Sequence, residues 1–326
     1  MFFALTRRHT FGLALFAGAF SMPALAQVPS GKPVQIVVPF APGGAQDAIA
    51  RLVGAKLSTR LNTPVIIENK GGAGGVIAAD GVAKAVADGT VLLMATGGAV
   101  SIAPHINPAL PYDPLKDLAP VALLADTPMT LAVRSESPYK SAADLIADAK
   151  AKPGSVTYAS TGNGTVSNLT GELFAMNVGA KLLHVPYRGA GPAMTDLLSG
   201  QVAAIVTSAA SIEPMVNSGK ARVLASFTTA PIAALKAPTV REATGVSGLE
   251  VPVWVGIMAP AKTPAATIEA LATALVAICG EADTQERIKN FGALSTCGGA
   301  ADAGAVIRSD YDRWKAVIAT GNIKAE

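Results

Sequence analysis

Two glycine-rich turns carry the residues whose types and spacing suit chemistry. The first is Phe40-Ala41-Pro42-Gly43-Gly44-Ala45-Gln46-Asp47. The apolar run Val34–Val38 before it reads as a buried strand, and Ile49, Leu52, Val53 and Leu57 after it recur at helical spacing. The first N–H groups of a helix lack internal partners, and the helix dipole makes that end positive. Gly43 and Gly44 carry no side chains to hold a ligand away from those groups, which suits an anion. The plainer reading is a turn that only joins a strand to a helix. The second turn, Ser160-Thr161-Gly162-Asn163-Gly164-Thr165, also follows a strand and opens a helix. Thr161 and Thr165 add hydroxyls, Asn163 an amide, and Gly162 and Gly164 close backbone approach. Its plainer reading is a helix cap.

Other residues are two-sided. Asp47 suits a general base, but a carboxylate in a first helical turn commonly serves the dipole. Arg188 can pair with a ligand carboxylate or stand solvated. Trp254 and Tyr187 can be core or cleft wall. Familiar enzyme motifs fail. Gly71–Gly75 resembles a dinucleotide loop, but Ile77 stands where the third glycine belongs, and neither turn has the Gly-Lys-Ser/Thr of a P-loop. There is no G-x-S-x-G elbow, and no histidine has an evident nucleophile partner. Three histidines (His9, His105, His184) without a Cys-x-x-Cys leave little for a transition metal. No cofactor is expected.

A chain of 326 residues, half of them hydrophobic, can bury a sizeable core and form two lobes. Arg7 and Arg8 precede an apolar stretch, Phe11 to Phe20, and then Ala24-Leu25-Ala26, the pattern of a secretory signal peptide over residues 1–26. The apolar run is too short for a membrane anchor. The arginine pair hints at twin-arginine export, but Phe11 sits one residue late, so ordinary secretion is expected. Removal takes the net charge from +3 to +1 (3 − 2). With no basic run and few aromatics, nucleic acid is not an expected partner. Cys279 and Cys297, the only cysteines, lie close together in the chain and are expected to pair in an oxidising compartment, the alternative being two buried thiols.

Strands are expected at Val34–Val38, Val65–Asn69 and Val91–Ala95, with a helix from Val76 to Ala87 between the last two. This β-α-β order implies mainly parallel sheets under helices. A proline-rich connection runs from Pro104 to Pro120. Residues 121–125 and 129–133 read as one long interrupted strand leading to a second lobe. There, Ser141 caps a helix, strands are expected at 156–159, 182–185, 202–206 and 223–226, and helices at 166–177 and 192–199. Residues 253–258 read as a return strand, followed by helices at 264–278, 283–291 and 302–318. The expected division is residues 27–125 and 251–326 for the first lobe, with 126–250 for the second.

Several segments together resemble the Bug family, the substrate-binding proteins of tripartite tricarboxylate transporters. They are Val38-Pro39-Phe40-Ala41-Pro42-Gly43-Gly44, Ile67-Glu68-Asn69-Lys70 with Gly71–Gly75, Leu110-Pro111-Tyr112-Asp113-Pro114 and Tyr158–Thr165. Gly171-Glu172-Leu173-Phe174, His184–Gly189, Thr195–Val202 and Trp254–Pro260 continue the match in order through the chain. The resemblance implies a type II-like, two-lobed periplasmic α/β binding protein with a hinge. It implies a small carboxylate held between the lobes by the two turns. Loops at Thr96, Gly97, Gly98 and Ser101 and at Thr207 and Ser208 would complete the pocket. It also implies membrane permease subunits as partners. The chain is expected to act as a monomer and to catalyse nothing. Amino-acid-binding relatives tend to carry an aspartate where Thr207 stands, and many relatives carry histidines at Ser167 and Asn168. The expected ligand is therefore an amine-free dicarboxylate, tricarboxylate or aromatic acid. The rivals are a receptor that signals to a membrane sensor, and a secreted enzyme acting on small acids.

Overall fold

The computed structural model describes residues 32–321, so the expected signal peptide lies outside the described residues. In chain order the first elements are β1 (Val34–Val38), α1 (Ala45–Leu61), β2 (Val65–Asn69), α2 (Val76–Ala83), β3 (Val91–Ala95), α3 (Ala103–Ile106), α4 (Pro114–Asp117) and β4 (Leu118–Asp126). Next come β5 (Met129–Arg134), α5 (Ala142–Ala151), β6 (Thr157–Ser160), α6 (Val166–Val178), β7 (Leu183–Pro186), α7 (Ala190–Ser199), β8 (Ala204–Ser208), α8 (Ala209–Asn217), β9 (Ala221–Ser226) and α9 (Val240–Thr244). The chain closes with β10 (Trp254–Pro260), α10 (Ala265–Cys279), α11 (Ala282–Asn290), β11 (Leu294–Ser295) and α12 (Ala300–Gly321).

These strands form two sheets, ordered β11-β4-β10-β3-β1-β2 and β7-β6-β8-β5-β9, each flanked by helices. Both are mixed, where the β-α-β order predicts mainly parallel pairing. β1 runs parallel to β2 and β3, but β10 lies antiparallel between β3 and β4. The cause is topological. The chain leaves the first sheet along β4 and comes back along β10, so the two must run in opposite directions. In the second sheet β6 is parallel to β7 and β8, and β5 is antiparallel to β8 and β9.

The interrupted strand proves to be two strands in two sheets, split at Thr127-Pro128. The outgoing and returning segments are tied together there. Thr127 donates its N–H to the Val253 carbonyl at 2.8 Å, and Val253 donates its own to Asp126 Oδ1 at 2.9 Å. Val251 N–H reaches the Phe227 carbonyl at 2.9 Å. This stapled pair of crossings is the connection between the lobes.

β1 is apolar at every position but Gln35 because both its faces are covered. Ile36 and Val38 pack with Ile49, Val53 and Leu57 of α1 and with Leu275 and Ile278 of α10, while Val37 faces Ala78, Val82 and Val100. The second lobe packs Leu131, Val133, Tyr158, Leu169, Phe174 and Val206 around one face of its sheet. α12 joins both cores. Ala303 and Ile307 pack in the first lobe, and Trp314 and Ile318 pack with Leu169 and Phe174 in the second. Cys279, at the end of α10, is bonded to Cys297 after β11, with the Cα atoms 5.3 Å apart. Ser141 caps α5 in a capping box with Asp144. Among the described residues no single helix is long and apolar enough to cross a membrane.

Candidate functional site

The second glycine turn meets Gly74 and Gly98 of the first lobe, and the first turn meets the segment Arg188–Gly191 of the second. A side chain on Gly74 would come within 2.5 Å of the Asn163 carbonyl, and one on Gly98 within 3.4 Å of Thr165 Cα. Ala41 N–H donates to the Arg188 carbonyl at 2.8 Å. A third helix start belongs to the same meeting. Gly189, at φ +135°, precedes α7, and its missing side chain would touch Ala41 N at 3.0 Å. Gly191 comes equally close to the Pro42 carbonyl, at 2.9 Å. Backbone thus meets backbone, which only glycine allows at these positions.

A cavity of about 340 Å³ opens between these turns, a size found for small-molecule sites. Phe40, Gly71–Gly75, Thr161, Gly162, Asn163 and Arg188 contribute to its walls. The one ionised side chain among the residues lining it is that of Arg188, which is exposed and has no ion-pair partner among the described residues. No carboxylate lines it. The cavity is therefore electropositive, from a guanidinium and from helix starts nearby.

In the first turn Gly43 adopts φ +93° and Gly44 precedes α1 without any side-chain cap. Ala45 N–H reaches across the cleft to Ser211 Oγ at 3.3 Å, and Ser211 Oγ is 2.9 Å from Ser208 Oγ. Gln46 is half-buried behind this contact. Asp47 contributes no free carboxylate to the cleft. It accepts from Gly43 N–H at 3.1 Å and from Asn69 Nδ2 at 3.0 Å, and it pairs with Arg51 at 2.9 Å. Burial alone pushes the Asp47 carboxyl up, but the bonds from Arg51, Gly43 and Asn69 outweigh it and hold the group below its ordinary value. Asp47 shapes the turn; the general-base reading fails because both its oxygens are taken.

In the second turn the cap reading and the site reading divide the residues. Thr165 caps α6, accepting from Asn168 N–H and donating to the Gly162 carbonyl at 2.7 Å. Thr161 donates to Thr165 Oγ1 at 3.3 Å, and its N–H is held by Ser167 Oγ at 3.1 Å. Gly164 N–H is held by Asn168 Oδ1 at 3.0 Å. Asn163 is exposed at the cavity wall. Ser160 Oγ lies 2.6 Å from His184 Nε2, a serine–histidine pair that spacing in the sequence conceals. Ser160 is fully buried and also accepts from Gly162 N–H at 3.1 Å, so the pair braces the turn and offers no exposed nucleophile.

The two remaining loops sit deeper and do not line this cavity. Thr96 and Gly97 follow β3, and Gly98–Ile102 is a π-helical turn where a loop was expected. Thr207 and Ser208 are the last residues of β8. Ser101 Oγ and Thr207 Oγ1 are buried and have no hydrogen-bond partner among the described residues. Unmet buried hydroxyls cost about 1–3 kcal/mol each, and folds keep few of them without a use. Trp254 is core, with its Nε1–H on Asp310 at 2.9 Å, and Tyr187 lines the cavity while its hydroxyl binds Asp196 at 2.6 Å. Ser211, Gly189 and Gly191 escape sequence reading. A Gly-x-Gly-Pro start to α7 and a Ser-x-x-Ser pair at the start of α8 are the signals they leave.

Comparison with known proteins agrees with this geometry. The family described as "Tripartite tricarboxylate transporter family receptor", TctC, matches residues 49–323. The chain is 35% identical over 254 residues to Protein BugT of Bordetella pertussis, covering 77% of this chain and 78% of that one. Two solved structures from Rhodopseudomonas palustris superpose closely. Rpa4515 with adipate has a TM-score of 0.86 at 32% identity, covering 90% of this chain and 99% of that one. MatC with bound malate has a TM-score of 0.84 at 31% identity, covering 89% and 99%. The chain belongs to the TctC family of tripartite tricarboxylate transporter receptors, the Bug-type solute-binding proteins.

Proposed function

We propose that this protein is a periplasmic, non-enzymatic receptor that captures a small amine-free carboxylate between its lobes and hands it to the permease subunits of a tripartite transporter. The carrying observation is the cleft cavity, where Gly71–Gly75 and the Thr161–Asn163 turn meet, Arg188 is the one ionised wall residue and no carboxylate lines the wall to hold an ammonium. Phe40–Gln46, Thr161–Gly164 and Arg188 form its working surface, with Thr96–Ser101 and Thr207–Ser208 offering hydroxyls from below. The first lobe runs over residues 27–125 and 251–326 and the second over 126–250, with export of a monomer following cleavage after Ala26. Adipate and malate, the acids held by two relatives, both lack an amine. Hydrogen bonds to a charged group contribute about 1.5–3 kcal/mol each, so a handful reach micromolar binding after association costs.

The test is a thermal-shift screen of the chain from Gln27 against adipate, malate, citrate, benzoate, aspartate and glutamate. At about a hundred times its dissociation constant an acid adds about 2.7 kcal/mol of stability. A shift confined to amine-free acids is expected. Tight binding of aspartate or glutamate alone would overturn the ligand class, and a flat response from folded, ligand-free protein would overturn the carboxylate reading.

A further inference from the structure

The hinge itself encloses a second cavity, of about 580 Å³, that shares no wall residue with the cleft. Its walls come from three places. Asp126, Pro128, Val251 and Pro252 are the crossing segments, Phe227 to Leu235 belong to the second lobe, and Lys289 and Gly292 to Leu294 belong to the first. Phe227, Ile232, Leu235, Val251 and Leu294 make it apolar.

Its charge is the reverse of the cleft's. Asp126, Glu213 and Glu250 line it, against one exposed lysine, Lys289. Asp126 spends one oxygen on Val253 N–H. Glu213 Oε2 is shielded from solvent and has no hydrogen-bond partner among the described residues. A side chain on Gly292 would stand 2.6 Å from that oxygen and 2.9 Å from Ala210 N, so glycine lets the first lobe pack directly against Glu213. Three carboxylates against one lysine leave the lining of this apolar cavity net negative, and the group that balances it is a cation. Burial pushes both the Asp126 and the Glu213 carboxyls up, against the opposing bonds from Val253 and Thr127 to Asp126 and from Asn217 to Glu213.

We propose that the hinge cavity is a binding site for a small organic cation with an apolar body. The ammonium sits among Glu213, Asp126 and Glu250, and the hydrocarbon lies against Phe227, Leu235 and Val251. Neutral or anionic molecules of the same shape leave Glu213 unpaired and bind more weakly. The site does not depend on which acid the cleft takes.

The test is calorimetric titration of the protein with 2-phenylethylammonium chloride, beside 2-phenylethanol and 3-phenylpropanoate at matched ionic strength. Two variants accompany the wild type. Glu213→Gln removes the charge, and Ala234→Trp fills the cavity from an exposed wall residue. One site for the ammonium is expected, about tenfold or more tighter than for the alcohol, since a hydrogen bond to a charged group is worth about 1.5–3 kcal/mol. E213Q should lose that preference, and A234W should lose binding with its circular dichroism unchanged. Equal binding of the alcohol, an unaltered E213Q, or no saturable binding of the ammonium would each overturn the proposal.

Discussion

Asp47 illustrates how a residue of the right type and spacing takes a structural post. Its spacing after Gly43-Gly44 offers a carboxylate to the cleft, yet Gly43, Asn69 and Arg51 absorb it. Sequence cannot reveal this, because Asn69 arrives from β2 and Arg51 from one helical turn on. Thr165 likewise spends its hydroxyl on the α6 cap, whereas Arg188 has no ion-pair partner among the described residues. The Asp47 network has a definite pH signature. Its folded carboxyl titrates below the ordinary 3.8, so its contribution is fully present above that value and is lost as pH falls through the lower folded value. Asp47→Asn keeps the shape and removes the charge. It should destabilise the protein by about 1–3 kcal/mol at pH 7, and the gap from wild type should shrink below about pH 4. Urea unfolding from pH 7 to pH 3 measures both, and a gap that stays constant with pH would contradict the assignment.

Among the elements, those with strong periodicity or an apolar run were legible: β1, α1, β2, β3, α5, α6, β10 and α10 lie within a few residues of their expected bounds. Where expectation missed, a packing effect outweighed a local signal. Pro214 argues against a helix, yet α8 runs through it because Ala209 and Ile212 are buried against the second sheet. α2 stops at Ala83, short of the alanine-rich run's end at Ala87. Gly98–Ile102 winds into a π-helical turn, a feature without a composition signature. The glycines of the cleft were legible as turns, but their partners were not, since pairing across lobes has no local trace. Gly74 tests that pairing. It holds φ +64°, and an added methyl would meet the Asn163 carbonyl at 2.5 Å. Gly74→Ala should therefore hold the lobes apart. Affinity for whichever acid the wild type binds should fall by about tenfold or more, with about 1–2 kcal/mol lost from local strain. X-ray scattering with saturating acid should give a larger radius of gyration than for wild type, and an equally compact variant would show that these turns do not govern closure.

On the scale of the whole molecule, the hinge is more than two crossing strands. The segments around Asp126 and Val253 are stapled to each other by hydrogen bonds. α12 adds a third link, with Ala303 and Ile307 set in one core and Trp314 and Ile318 in the other. A helix anchored at both ends transmits unfolding of one lobe to the other, and two lobes of this size would otherwise be free to melt separately. Trp314 is the far anchor: it is fully buried, with the Arg313 guanidinium 4.5 Å from its ring centre. Trp314→Ala should cost about 3–5 kcal/mol, the usual loss for truncating a buried aromatic. The loss should fall on the second lobe, because the near half of α12 keeps its own packing in the first. Calorimetry should then resolve two transitions, the lower of which moves, while the upper stays near the wild-type midpoint. A single transition displaced as a whole would mean that the stapled crossings alone couple the lobes and that α12 is only a cover over both.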